Sequence, residues 1–173
     1  DPTVVVFNPP HGESPIYVYL MDYRMGLVVQ LLGRPLAGAR VLVICCGSGM
    51  DAEYLVHRGA KVTATDLSNG CLARAAELMR RYDLDYELEQ ADAESLPFDD
   101  GAYDYAFVHD GLHHLPNPEA AIPALARVSK AGSLLPEPAD AAPRHLAVRG
   151  GPIEPAEVAG HCRRWSRAQR RPP

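Results

Sequence analysis

The feature that most constrains the fold is a strand-length apolar run that ends in a glycine turn. Residues 40–46 read RVLVICC, and Gly47-Ser48-Gly49 and a helical stretch over residues 51–58 follow at once. The run is too short for a helix of its own but has the length of a buried strand. Strand, glycine turn and helix in that order predict the first unit of a parallel α/β sheet.

Strand and helix patterns alternate along the rest of the chain. Strands are predicted at residues 61–65, 86–89, 103–108 and 133–135, and helices at 14–32, from Ser68 or Asn69 to Tyr82, and from a capping Asn117 onward. On the helix that ends at Tyr82, the residues expected to face inward are Leu72, Ala75, Ala76 and Met79. This alternation predicts a doubly wound, mostly parallel sheet with right-handed crossovers. Ligands of such sheets bind beyond the carboxyl ends of the strands.

Composition divides the chain into a helical segment (1–38), a core (39–137) and a basic tail rich in Pro and Arg (138–173). From residue 141 onward seven arginines stand against two acids, whereas the first 140 residues carry 10 basic and 20 acidic side chains. The acidic body disfavours nucleic-acid binding, which needs Lys and Arg for phosphate contacts. No strand-like alternation is found after residue 138, Pro136 interrupts the last predicted strand, and Pro123 is expected to kink the preceding helix.

The cysteines and the apolar runs indicate a cytoplasmic protein without a membrane span. The four cysteines are Cys45, Cys46, Cys71 and Cys162, and they form no C-x-x-C pair. A redox role for the adjacent pair is disfavoured, because only the helix start nearby could lower a thiol pKa. No apolar run approaches the roughly 20 residues that a membrane span needs, and no signal peptide opens the sequence.

Two motifs indicate a nucleoside ligand without identifying it. Gly47 and Gly49 allow a ligand to approach the backbone at the helix start. Asp66 ends the second predicted strand, where a carboxylate accepts the ribose hydroxyls of NAD or of S-adenosylmethionine. A helix-capping Asp is the structural alternative. The turn also fits the dinucleotide fingerprint G-x-G-x-x-A, so the cofactor stays open at this point.

Further segments, in order, give a family resemblance: VLVICCGSG (41–49), VTATD (62–66), ADAESLPF (91–98), Tyr103-Asp104 and LHHL (112–115). Together they resemble class I methyltransferases of the type 11 group, which includes quinone-biosynthesis C-methyltransferases. The resemblance spans about residues 14–135, and NAD dehydrogenases do not share the D-A-x-x-L-P-F and L-H-H-L segments. It implies a Rossmann-like methyltransferase fold, S-adenosylmethionine as cofactor and a small-molecule acceptor. Because of the unusual end, the last two strands of that fold are expected to be missing or altered.

The resemblance also implies a cofactor site. The matching positions are Tyr17, Arg24, Cys45, Gly47, Ser48, Gly49, Asp66, Leu67, Asp92, Ala93 and His109. Asp66 would hold the ribose, Leu67 would pack on the adenine, and Asp92 would bind its amino group. The glycine turn would approach the methionine part, His109 would lie near the sulfonium, and Arg24 would reach the cofactor carboxylate. Two positions depart from the family: Val43 replaces an acid, and Cys45 replaces a glycine although a Cys side chain disfavours positive φ.

Catalytic candidates cluster after the fourth predicted strand. A base is needed if the acceptor carries a proton, and His109, Asp110, His113 and His114 are the candidates. A metal cluster of the same residues is the less favoured interpretation, so no metal is expected. Three functions stay open: an active methyltransferase, a cofactor-binding but catalytically impaired or regulatory relative, and an NAD-binding Rossmann module. A homodimer paired through the divergent end is one assembly that the sequence allows.

Overall fold

The computed structural model describes residues 36–130 in full and the backbone of residues 133–135 and 146–147. The predicted helix at 14–32, with Tyr17 and Arg24, lies outside the described residues, as does the tail apart from residues 146–147. No helix of the described part is long and apolar enough to cross a membrane.

Strands and helices alternate as the sequence predicts. The strands are β1 (Arg40–Val43), β2 (Lys61–Asp66), β3 (Glu87–Gln90), β4 (Tyr105–Phe107), β5 (Ser133–Leu135) and β6 (Leu146–Ala147). The helices within the described ranges are α1 (Met50–Val56), α2 (Asn69–Tyr82) and α3 (Pro118–Val128), with a 3-10 turn at Leu112–His114.

The six strands form one sheet in the order β3-β2-β1-β4-β5-β6. The first five are parallel and β6 is antiparallel to β5, which confirms a doubly wound, mostly parallel sheet. The prediction of no strand after residue 138 is wrong, because Leu146–Ala147 pairs with β5. Two residues are too few to display the alternation by which a strand is recognised in a sequence. β5 is therefore an internal strand.

The apolar run of β1 is explained by burial on both faces of the sheet. Val41 and Val43 belong to one core cluster with residues of α1 and β2, whereas Leu42 and Ile44 belong to a second cluster with residues of α3. Strands that are covered by helices on both faces need apolar side chains at every position. The arrangement is a sheet between two helical layers, with β1 at its centre.

The structure tests the predicted helix caps and the predicted inward face of α2. Ser68 caps α2, since its hydroxyl accepts a hydrogen bond from the Cys71 N–H at 3.4 Å. Ala75 is fully buried on α2, but Ala76 is exposed, so its predicted inward position is wrong. The buried stripe of this helix is narrow, and only one of the two adjacent alanines lies in it. Asn117 precedes α3 as predicted, but its side chain makes no capping bond.

Candidate functional site

The order of the strands places a crevice at the carboxyl ends of β1 and β4. β1 lies between β2 and β4, so the chain leaves β1 toward one side of the sheet and later returns on its other side. The loops that follow β1 and β4 therefore diverge, and ligands of doubly wound sheets bind at this switch point. Residues 44–49 follow β1, and residues 108–111 follow β4.

The turn between β1 and α1 has a left-handed backbone at three positions. The φ angles of Cys45, Gly47 and Gly49 are 52°, 55° and 88°. Cys45 thus adopts the conformation that its side chain disfavours. Its side chain lies against Gly111 of the β4 loop, where an added Cβ would come within 2.5 Å of the Cys45 Cβ. The missing side chain at Gly111, which sequence reasoning did not single out, makes room for Cys45.

The two glycines of the turn have different surroundings. A Cβ added at Gly47 would meet no atom within 4 Å, so space above it is open. A Cβ added at Gly49 would collide with the hydroxyl of Tyr86. Between them, the buried Ser48 hydroxyl has no hydrogen-bond partner within the described residues. The turn therefore combines an open backbone position with a buried hydroxyl that has no hydrogen-bond partner among residues 36–130.

Asp66 connects the ends of β1 and β2. Its Oδ2 accepts a hydrogen bond from the Gly47 N–H at 2.9 Å, and its Oδ1 accepts one from the Ser68 N–H at 2.8 Å. These two hydrogen bonds fix the position of the carboxylate. Each carboxylate oxygen can accept a further bond, because an ionised carboxylate has about four acceptor positions. Ser68, rather than Asp66, provides the side-chain cap of α2.

Leu67 follows the carboxyl end of β2, and Asp92 comes shortly after the carboxyl end of the neighbouring parallel strand β3. The Asp92 Oδ1 accepts a hydrogen bond from the Glu94 N–H at 2.9 Å, while the next residue, Ala93, is buried. Leu67 is 65% exposed and is the only large apolar side chain so exposed within the described residues. Burial and, after it, the carboxylates of Asp66 and Asp92 raise the pKa of the Cys45 thiol.

The adjacent thiols are protonated at neutral pH. Burial, with Asp66 as the next cause, raises the pKa of Cys45 to about 12 and that of Cys46 to about 12. A neutral thiol is a poor nucleophile and a poor metal ligand. A redox role for the two cysteines therefore stays disfavoured.

The histidine candidates fall into two groups. The His109 Nδ1 lies 3.1 Å from the Oδ1 of Asp51, and both side chains are largely buried. His113 and His114 are exposed on the 3-10 turn with ring centroids 3.9 Å apart, and the His113 Nδ1 is 3.6 Å from the Asp110 Oδ1. Asp51 was missed by sequence reasoning, because it is 58 residues from His109. Within residues 36–130, no three His, Cys, Asp or Glu side chains are grouped to hold a metal ion.

The strand order defines a doubly wound α/β protein, whose candidate ligand site is the switch point between β1 and β4. A sequence profile described as a methyltransferase domain matches residues 41–132, which is more than half of the chain. The chain belongs to this methyltransferase-domain family. The family assignment confirms the resemblance on which the cofactor positions depend.

Individual relatives agree with the family. The chain is 35% identical to a ubiquinone biosynthesis O-methyltransferase of Pseudomonas aeruginosa (strain LESB58), over 73% of this chain and 51% of that protein. It thus spans about half the length of the curated relatives that it matches.

Solved structures with a similar fold are also found. An N-methyltransferase from Haemonchus contortus in complex with S-adenosylhomocysteine is 25% identical, with a TM-score of 0.59, over 67% of this chain and 28% of that one. The [4+2]-cyclase SpnF is 29% identical, with a TM-score of 0.60, over 67% of this chain and 44% of that one. The fold alone therefore does not fix the chemistry.

Proposed function

We propose that this chain carries the cofactor-binding part of an S-adenosylmethionine-dependent methyltransferase that acts on a small-molecule acceptor. One observation carries the proposal: Asp66 and Asp92 follow the carboxyl ends of the neighbouring parallel strands β2 and β3, and the exposed Leu67 comes directly after Asp66. Two carboxylates can bind the hydroxyls and the amino group of an adenosine, and an apolar side chain packs on its base.

The described residues fit this cofactor. The open space above Gly47 would accommodate a ligand against the backbone, and the Ser48 hydroxyl, which lacks a partner among the residues that the structure describes, would offer a polar contact at the same turn. Asp66 is held by two backbone N–H groups and keeps acceptor positions for the ribose. Asp92 would bind the adenine amino group with Ala93 alongside. Cys45, with its side chain against Gly111, leaves the open position above Gly47 unobstructed.

Methyl transfer places few chemical demands on the protein. When bound, the cofactor supplies a methyl group that is activated by the positive sulfur. The chain's residues would align the acceptor and exclude water, and these effects account for most catalysis in reactions without covalent intermediates. His109, which follows β4, and His113 and His114 on the 3-10 turn all stay predictions for the base.

The methionine-derived cofactor is favoured over NAD. The glycine turn is compatible with either ligand, but the matching family over residues 41–132 is a methyltransferase family. Relatives described as O-methyltransferases support an oxygen acceptor for this chain. The other alternative is a catalytically impaired relative. The matches do not decide it, because the chain spans only about half the length of those relatives.

Several finer predictions complete the proposal. The division into 1–38, 39–137 and 138–173 stays a prediction, although Leu146–Ala147 of the last part pairs with the sheet of the middle part. Tyr17 and Arg24 remain predictions for a helix that closes over the cofactor. A cytoplasmic setting, the absence of nucleic acid among the ligands and a homodimer also stay predictions.

Calorimetric titration of the full chain tests the proposal. We expect S-adenosylmethionine and S-adenosylhomocysteine to bind and NAD to give no signal. Binding of NAD alone would overturn the cofactor assignment. Turnover against a panel of quinols, phenols and amines then identifies the acceptor, and binding without any turnover would favour the catalytically impaired relative.

A further inference from the structure

A buried pair of side chains connects the two loops that border the crevice. The His109 Nδ1 and the Asp51 Oδ1 are 3.1 Å apart, and their side chains are 12% and 11% exposed. Asp51 belongs to the first turn of α1, and His109 follows β4 after one intervening residue. The contact therefore spans the switch point of the sheet, where β1 and β4 are neighbours.

The chemistry of the pair determines where the imidazole carries its proton. An ionised carboxylate only accepts hydrogen bonds, so the His109 Nδ1 must be the donor. A neutral imidazole has one N–H, and Nε2 is then an acceptor whatever stands opposite it. Asp51 thus selects one tautomer and one orientation of the ring, as an aspartate does for a catalytic histidine in other enzymes.

We propose that Asp51 is a positioning residue, which holds His109 with Nε2 as the proton acceptor for an acceptor molecule that is methylated at a hydroxyl oxygen. This inference rests on the proposed function. In the step, the oxygen–carbon bond forms and the carbon–sulfur bond breaks, with its electron pair left on sulfur. The hydroxyl proton passes to Nε2, and the carboxylate of Asp51 stabilises the resulting imidazolium.

The other His–Asp pair of the loop is less suited to this role. The His113 Nδ1 and the Asp110 Oδ1 are 3.6 Å apart, and the Asp110 side chain is 56% exposed. Water screens such a pair and competes for its hydrogen bonds. Within the described residues, Asp51 is the titratable group whose contact with His109 has a stated distance, and the Asp51 carboxylate also raises the pKa of the Cys46 thiol, after burial and other charges.

The tautomer can be measured on the full chain without any ligand. Long-range proton–nitrogen NMR of histidine-labelled protein reports which ring nitrogen carries the proton, and a His109→Gln variant assigns the signal. On the alkaline plateau, well above the ordinary imidazole pKa of about 6.5, we expect a protonated Nδ1 in the wild type. Asp51→Ala should abolish this preference. Asp51→Glu should keep it, because a carboxylate only accepts hydrogen bonds, whereas the amide of Asp51→Asn can also donate to Nδ1 and should weaken the preference.

Asp110→Asn is the matched control, since it removes the charge of the exposed pair on the same loop and should leave the His109 tautomer unchanged. A wild-type ring protonated on Nε2 would overturn the positioning role, and this result needs no variant to fold. An unchanged tautomer in Asp51→Ala would overturn it equally.

Turnover provides the functional readout. With a hydroxyl acceptor, Asp51→Ala should lower kcat by at least about tenfold, in the range of effects seen when a base is lost. The Kd of S-adenosylhomocysteine should change less than KM or kcat, and Asp51→Glu, which keeps a carboxylate acceptor, should restore part of the turnover. An unchanged kcat in Asp51→Ala would refute the inference. Failure of the wild type to bind S-adenosylhomocysteine would instead refute the proposed function, so the two failures are distinguishable.

Discussion

Two segments follow neighbouring strands of the sheet: the turn after β1 (residues 44–49) and the corner after β2 (Asp66 and Leu67). They differ in burial and in the contacts that fix their conformation. The first is buried and left-handed at Cys45, Gly47 and Gly49, and its shape depends on close contacts with Tyr86 and the β4 loop. The second exposes Leu67 to solvent beyond Asp66. Substitutions in the turn should therefore cost folding, whereas substitutions at the corner should cost binding.

The largest effect is expected for Gly49→Ala. Its Cβ would collide with the Tyr86 hydroxyl, and its φ of 88° is unfavourable for alanine. The free energy of unfolding should fall by about 2–4 kcal/mol, from backbone strain and overpacking together. Urea denaturation followed by circular dichroism measures it.

Two variants separate these causes. Gly47→Ala has the same kind of backbone strain without a collision, so it should lose only about 1–2 kcal/mol. Tyr86→Phe removes a hydroxyl without a partner in the described residues and should rescue part of the Gly49→Ala loss. Equal losses for both glycine variants would contradict the contrast between them.

Asp66→Ala tests the corner. The affinity for S-adenosylhomocysteine should weaken by about 1–3 kcal/mol, because a charged hydrogen-bond acceptor is lost. Calorimetry measures the change, and Asp85→Ala, at an exposed site before β3, is the matched control. An unchanged affinity in Asp66→Ala would mean that the ribose lies elsewhere.

High pH should lower the free energy of unfolding, because the two buried thiols of the turn lose their protons. The pKa of Cys45 and of Cys46 in the folded chain is about 12, above the ordinary value of 9.0. Because the folded state binds these protons more tightly, their contribution is fully present below pH 9 and is lost as the pH rises toward 12. By pH 10 the free energy of unfolding should fall by on the order of 1 kcal/mol per thiol.

Denaturation at pH 8 and pH 10 measures this loss, and the Cys45→Ser, Cys46→Ser double variant should show a smaller one. Rapid alkylation of either thiol in the folded chain at pH 8 would contradict the assigned protonation.

Leu67→Ser should have the smallest effect on folding. The side chain is already exposed, so the free energy of unfolding should stay within about 0.5 kcal/mol of the wild type. Cofactor affinity should still fall by roughly 1 kcal/mol, the value of a partly buried apolar contact. A large loss of stability with unchanged affinity would reverse the contrast.

Local patterns were sufficient to predict most of the fold. The apolar run of β1, the Ser68 cap and the strand that ends at Asp66 each depend on neighbouring residues, and the structure has all three. The two-residue β6 and the exposed Ala76 escaped prediction because their positions depend on tertiary packing.

The candidate site was predictable only in part. Asp66 and Asp92 could be placed on one rim, because parallel strands end at the same edge of a sheet. The contacts between distant segments could not be predicted, since nothing near Asp51, Tyr86 or Gly111 in the sequence indicates its partner. Left-handed φ at Cys45 was also unexpected, because it depends on the space that Gly111 provides.

A crystal structure of the full chain with S-adenosylhomocysteine tests the central claim most directly. The account predicts the ribose hydroxyls on the Asp66 carboxylate, the adenine against Leu67 with its amino group on Asp92, and the amino-acid end over Gly47. A ligand bound away from the carboxyl ends of β1 and β4, or one that leaves Asp66 bonded only to Gly47 and Ser68, would contradict it.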